Sequence, residues 1–230
     1  MIEDQPQLTV KRPSRRPTAA QRAAFSEIPT SFVTDAMGGS GALSADIGPL
    51  FPHEPSHMVG SAVTCWNGPG DVQATVASLA FLEPGDVVVI SVDGFQGCAS
   101  AGDSVLDMAK NSGAVGLVTE GKVRDAEGMA RVGLPVWCTG ITPNSPSRTG
   151  PGTVGLPISC GGLQVETGDL VIADGDGVVV VPFARIDEVI QRLEDVKRVE
   201  VKRDTQVKTG LKVPQQTLDL LNGPMTRYVD

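Results

Sequence analysis

Apolar residues recur along this chain with two different periods, and the places where the period changes mark out its elements. After the turn Pro69-Gly70-Asp71, the residues Val72, Val76, Leu79 and Leu82 fall at helical spacing until Pro84-Gly85 stops the run. Asp71 stands where a helix cap is expected. Residues 86–92 form a nearly continuous β-branched run, the pattern of a strand covered on both faces. Helical spacing returns over 104–111, with Val105, Leu106 and Ala109 on one side. The alternation continues with a strand at 114–119, a helix at 125–131 and a strand at 135–139. It predicts an α/β protein, a layered α/β/α-type domain around a central, mostly parallel sheet.

Upstream, residues 31–37 read as a short helix that stops at Gly38-Gly39, followed by Pro- and Gly-rich sequence to about residue 60. Near the other end, Ile186, Val189, Ile190, Leu193 and Val196 recur at three- and four-residue intervals, with Asp187, Glu188, Arg192, Glu194, Asp195 and Lys197 on the opposite face. That is an amphipathic helix. Residues 1–20 are polar and without periodicity, so they are expected to order only against a neighbour. The division is an N-terminal arm (1–23), a domain (24–205) and a C-terminal extension (206–230). The segments 85–94 and 168–177 resemble each other, each opening on Gly-Asp and closing on Asp-Gly around a hydrophobic strand. Shared turn chemistry accounts for this more simply than a structural repeat.

Composition narrows the class. With 230 residues, 40% of them hydrophobic, the chain can bury one domain core, and its single Tyr, two Trp and six Phe mean that Val, Ile, Leu and Ala must build it. A net charge of −8 and a pI near 4.8 argue against a nucleic-acid partner. Two basic runs, Lys11, Arg12, Arg15 and Arg16, and Lys197, Arg198, Lys202 and Arg203, read as a solvated tail and a solvated helix face. Cys65, Cys98, Cys138 and Cys160 show no Cys-x-x-Cys spacing, so free thiols are expected. With no apolar signal core and no stretch of about 18 apolar residues, the expectation is a cytoplasmic protein without a membrane partner.

Two turns carry candidate chemistry. In 97–103, Gly97-Cys98-Ala99-Ser100-Ala101-Gly102-Asp103, small residues lead from a strand into a helix, so backbone amides at the helix start could take a carboxylate. Asp103 as a plain N-cap is the competing reading. In 121–125, Gly121-Lys122-Val123-Arg124-Asp125, Arg124 offers a planar fork for a carboxylate and Asp125 a hard oxygen ligand for Mg²⁺ or Mn²⁺. A capping Asp beside a surface Arg is the alternative there. In a doubly wound sheet, both turns would lie at one edge and face one cleft. Other chemistries fit poorly: Gly97 to Gly102 is one residue too long for a nucleophile elbow, and Pro55 separates His53 from His57. Nothing near Lys122 suggests a Schiff base, and the glycines at 38, 39 and 41 form no dinucleotide fingerprint.

Asp103, followed after twenty residues by Arg124-Asp125, resembles the signature of RraA-like proteins and of the 4-hydroxy-4-methyl-2-oxoglutarate / 4-carboxy-4-hydroxy-2-oxoadipate aldolases. Thr34-Asp35-Ala36, Gly113-Ala114-Val115-Gly116, Leu134-Pro135-Val136-Trp137, Ile158-Ser159-Cys160-Gly161-Gly162 and residues 173–178 are similar to the same family, over about residues 30–195. The resemblance implies an RraA-like fold and a divalent-metal-dependent lyase that cleaves a 4-hydroxy-2-oxo acid to pyruvate and a second carbonyl product, with oxaloacetate decarboxylation through the same enolate. It also implies Asp125 as metal ligand, Arg124 on the substrate and its developing enolate, Asp103 on a metal-bound water, and the amides around Ala101 and Gly102 on the pyruvyl carboxylate. A homo-oligomer, trimer or dimer of trimers, follows from the same resemblance. So does an alternative, a non-catalytic RraA-type regulator that binds an RNA-degradation endonuclease. The pattern departs at Gly128, where the aldolases carry an acidic residue three positions after the metal-binding Asp. Three readings of that departure stay open: looser metal binding, substitution by Glu120 or by a residue of another subunit, or a different substrate.

Overall fold

The computed structural model describes residues 6–52 and 57–229. The chain opens with β1 (Leu8–Val10), α1 (Ala19–Ala23), α2 (Thr30–Ala36), β2 (Gly48–Pro49) and the long β3 (Met58–Asn67). Next come α3 (Gln73–Ser78), β4 (Asp86–Ser91), β5 (Ala99–Ala101), α4 (Asp103–Asn111), β6 (Gly116–Thr119), β7 (Lys122–Val123), α5 (Ala126–Val132) and β8 (Val136–Cys138). Then β9 (Gly152–Val154), β10 (Ile158–Cys160), β11 (Leu163–Val165), β12 (Leu170–Asp174) and β13 (Gly177–Val181) precede α6 (Ile186–Lys208) and α7 (Gln215–Leu221).

Strands β3, β4, β6 and β8 pair in parallel at the centre of a nine-stranded sheet. The second edge of β3 is shared, its start pairing antiparallel with β12 and its end with β9. Side chains of β4 alternate between two cores, as the sequence pattern requires. Val88 and Ile90 pack with Leu106 of α4, Met129 of α5 and Leu117, while Val87 and Val89 pack with Trp137 and with Val171, Val178 and Val180. The parallel strands therefore have helices on one face and the folded-over β12–β13 hairpin on the other. Leu170, Ile172, Val179 and Val181 turn outward against Val33 of α2 and Ile186, Val189 and Leu193 of α6, which completes the layers.

The two similar segments flank the same residue, because Ser61 pairs with Asp86 on one side and with Leu170 on the other. Yet β4 runs parallel to β3 and β12 antiparallel, so the likeness is one turn used twice. Asp86 Oδ2 accepts the Glu83 amide at 2.8 Å and Asp169 Oδ2 the Glu166 amide at 2.9 Å, each across a glycine at φ 92° or 96°. Only glycine takes that conformation at no steric cost.

Two expectations need correction. The basic start of the chain is not a freely solvated tail, because β1 joins the sheet beside β9 and Arg16 makes a forked pair with Asp86, whose side chain is 1% exposed. Arg15 pairs with Glu166 and lies over the Phe183 ring. A buried carboxylate needs a cation, and the polar composition of the arm hid that requirement. The last long helix also continues well past Val196 to Lys208. Over that stretch Lys197–Glu194, Arg198–Asp195 and Arg203–Glu200 pairs and good helix formers sustain it without buried contacts.

Candidate functional site

Because β4 and β6 are parallel neighbours, the chain leaves both at the same edge of the sheet. There β5 pairs with β7, and the Ala101 carbonyl accepts the Arg124 amide at 3.1 Å. The two candidate turns are thus stitched together through their backbones. Gly102 occupies the N-cap of α4 without a side-chain cap, and Asp103 is the first helical residue, its Oδ1 accepting the Ser104 amide at 2.6 Å. A carboxylate in the first turn is also favoured by the helix dipole.

Asp125 sits at the N-cap of α5 but does not cap it. Its backbone is left-handed, at φ 60° and ψ 44°, and its side chain makes no bond to the helix amides. Instead Oδ2 lies 3.2 Å from Arg124 Nε. A non-glycine residue held in this region is strained, and such strain gathers at functional sites. The capping reading therefore fails for Asp125 on geometry. Gly102 explains the close approach, since a Cβ there would lie 2.8 Å from Asp125 Oδ2 and 3.2 Å from Arg124 Nε. Its own φ of −136° is ordinary, so what glycine supplies here is room for the Asp125 and Arg124 side chains.

The side chain that holds Arg124 from its far end is Ser145, whose Oγ accepts from Nη1 at 2.8 Å. Nothing in the sequence pattern singled it out, because it lies in a Pro- and Gly-rich connection with no periodicity. That connection is strapped down by backbone bonds of Val123 to Gly140 and Thr142, and by Asn144, which bonds to Gly97 and Ala99. Its far end is anchored on Asp71. Asp71 Oδ2 accepts the Thr149 amide at 2.6 Å, the Gly150 amide and the Ser147 hydroxyl, both at 3.0 Å, while Oδ1 takes the Gln73 amide. Burial alone would raise the Asp71 carboxyl, but these donors outweigh it and hold it below the usual carboxylate range. Asp71 is not the N-cap expected of it, since Val72 holds that position, but it bonds the Gln73 amide one residue further on and also carries the strap.

Glu120 is not the substitute acid. Its Oε1 accepts from the Ser91 hydroxyl at 2.8 Å and from the amides of Val92 and Gly94, and its Oε2 from the Gly161 amide at 3.0 Å. Both oxygens are committed to joining the end of β4 to the β10–β11 hairpin. Ser100 is buried and bonded to Thr119 and the Lys122 carbonyl. His57 bonds to the Ile28 carbonyl, and His53 lies outside the described residues. All four cysteines are free.

Beside Asp103 an open cleft of about 320 Å³ is lined by Ser104, Asp107, Gly128, Arg131 and Val132. Among the described residues, no group of three or more His, Cys, Asp or Glu could hold a metal. Asp103 and Asp125 together offer two carboxylates and no nitrogen or sulfur. That donor set suits Mg²⁺ or Mn²⁺, which take one or two carboxylates and complete their shell with water or substrate. No helix among the described residues is long and apolar enough to cross a membrane.

Residues 30–180 match the family model described as RraA-like, aldolase/RraA. A protein of Halalkalibacterium halodurans named "Putative 4-hydroxy-4-methyl-2-oxoglutarate aldolase" is 34% identical over 200 residues, 87% of this chain and 94% of that protein. Among solved structures, Streptomyces coelicolor RraAS2, described as an unusual member of the RNase ES inhibitor RraA protein family, superposes with a TM-score of 0.73 at 29% identity. The match covers 84% of this chain and 99% of that one. An uncharacterized protein of Pseudomonas syringae pv. tomato superposes with a TM-score of 0.76 at 25% identity, over 88% and 95% of the two chains.

Proposed function

The chain belongs to the RraA-like, aldolase/RraA family, and from that membership we propose that it is a Mg²⁺- or Mn²⁺-dependent aldolase of 4-hydroxy-2-oxo acids. It releases pyruvate and a second carbonyl product, and decarboxylates oxaloacetate through the same enolate. The observation that carries the reading is Asp125, held in a left-handed conformation with its carboxylate turned away from the helix it begins and toward Arg124.

Asp125, with Asp103 beside it, would hold a divalent metal, which would supply Lewis acidity to the 2-oxo acid head. Arg124 does the work of charge. With Nη1 on Ser145 and Nε beside Asp125, its remaining N–H groups are free to donate to the substrate, and its permanent charge stabilises the negative charge that gathers on the 2-oxo oxygen. The amides around Gly102, which brings no side-chain cap to α4, are offered to the pyruvyl carboxylate, while the Ser104 amide is taken by Asp103. Asp103 accepts the proton of the 4-hydroxyl by way of a water. The C3–C4 bond then breaks, its electron pair becomes the enolate, and protonation at C3 gives pyruvate. With oxaloacetate, CO₂ leaves instead and the same enolate is protonated. The protein works in the cytoplasm as a homo-oligomer.

Pyruvate release from oxaloacetate and from 4-hydroxy-2-oxo acids, with Mg²⁺ or Mn²⁺ and with EDTA, tests the reading. Asp125→Asn is the informative variant, because Asn tolerates the left-handed backbone that Ala does not. It should lower turnover by roughly 10²-fold or more while leaving stability within about 0.5 kcal/mol. Arg124→Lys keeps the charge but loses the fork and should fall by a similar factor. If both variants retain near-normal rates, Arg124 and Asp125 are not the catalytic centre. If the wild type shows no EDTA-sensitive turnover on any of these acids, the non-catalytic regulator is the reading left standing, as the likeness to RraAS2 would suggest.

A further inference from the structure

Gly128 lies buried in the first turn of α5 and faces the first residue of α4. A Cβ built on it would lie 2.3 Å from Asp103 Oδ2, 2.8 Å from its Cγ and 2.7 Å from its Cβ. Rotating the Asp103 side chain would move the carboxylate aside but not the Cβ, so even a methyl group at 128 requires the two helix starts to move apart. The backbone of Gly128 is helical, and glycine in that setting is about 1 kcal/mol worse than alanine. Its presence is explained by the space it leaves. Gly102 does the same in the opposite direction for Asp125, so each helix start gives up a side chain to the acid of the other.

We propose that Gly128 is a positioning residue, whose missing side chain seats the Asp103 carboxylate against α5 at the head of the 320 Å³ cleft. On this inference, which rests on the functional reading only for its effect on metal binding, the identity of residue 128 sets where the second carboxylate of the site stands. The glycine is then a part of the site and not the loss of one.

The test is a double-mutant cycle on metal-free protein, with a binding and a spectroscopic readout. Gly128→Ala should lower the urea midpoint in the wild type and not in an Asp103→Gly background, where all three close contacts are gone. The carboxyl ¹³C resonance of Asp103, assigned by its loss in Asp103→Gly, should move in Gly128→Ala and stay in place in the neighbouring Glu127→Ala. Mn²⁺ affinity, measured by calorimetry, should fall about 10–100-fold in Gly128→Ala, the range in which groups supporting a metal site act. Equal destabilisation in both backgrounds, or an Asp103 resonance that does not move, overturns the seat. An unmoved resonance would do so even if Mn²⁺ bound as expected. A wild type without Mn²⁺ affinity but with the coupling and the shifted resonance would instead refute the enzymatic reading and leave the seat standing.

Discussion

Removing the guanidinium of Arg16 asks whether the first residues belong to the cooperative fold. Arg16 donates from Nε to Asp86 Oδ1 and from Nη2 to Asp86 Oδ2, both at 3.0 Å, and again from Nη2 to the Phe81 carbonyl. The Asp86 side chain is 1% exposed and that of Arg16 18%. Breaking a buried pair by removing one partner costs about 3–5 kcal/mol, because the other charge is left without compensation. Asp86 keeps the Glu83 amide at 2.8 Å, and water can enter from the Arg16 side, so the lower end, about 3 kcal/mol, applies. For a chain of this length that is a fall of roughly 6–12 °C in Tm. Urea unfolding followed by Trp fluorescence would measure it, with Arg12→Ala as an exposed control expected to change stability by less than about 0.5 kcal/mol. Placing Arg16→Ala on an Asp86→Asn background should shrink its cost by about 1–3 kcal/mol, since the charge to be neutralised is gone. A cost below about 1 kcal/mol for Arg16→Ala, or one unchanged by Asp86→Asn, would refute the reasoning and return residues 1–23 to the status of a loose arm.

Two further outcomes follow from the buried groups. The folded-state pKa of Asp71 is depressed, so its contribution is present above the ordinary carboxylate range, about pH 4, and is lost as pH falls through the folded value. Tm measured from pH 5 down to pH 2 should therefore decline more steeply in the wild type than in Asp71→Asn, and parallel curves would discount the strap anchor. Burial pushes the Cys65 and Cys160 thiols up to about 12, and Cys138 is also buried, while Cys98 is partly exposed. A thiol-disulfide reagent at pH 8 should titrate one thiol rapidly in native protein and four in denaturant, and two fast native thiols would contradict this core.

The parts of the fold legible in the sequence are those fixed by local periodicity. The β-branched run around Val88 and the spacing of Val105, Leu106 and Ala109 identified β4 and α4 because burial on one or both faces imposes those patterns. Asp103, Arg124 and Asp125 stood out because they follow strands at turns of small residues. What stayed hidden depends on distant partners. No local signal says that Ser145 will reach Arg124, that Glu120 will be consumed by Gly161, or that Arg16 will find Asp86, some 70 residues away. The left-handed backbone of Asp125 was equally invisible, since aspartate takes that conformation at a few turns and an extended or helical one at most others.

The shared edge of β3 also bears on the order in which the molecule can assemble. Ser61 meets Asp86 across a separation of 25 residues, but on its other side it meets Leu170 across 109, and Cys65 meets Val154 across 89. The β3–α3–β4 unit can close early as a local crossover, whereas the opposite edge of β3 stays open until β9 and β12 arrive. The added loop entropy is small at equilibrium, on the order of 1 kcal/mol, but the search is slow. Until it ends, a ten-residue strand presents unpaired amides and carbonyls beside Met58, Ala62 and Cys65, which the native core covers completely or nearly so. On the ribosome, a chain that has not yet emerged past about residue 174 therefore carries an open, apolar sheet edge, the surface most prone to pair with a neighbouring nascent chain.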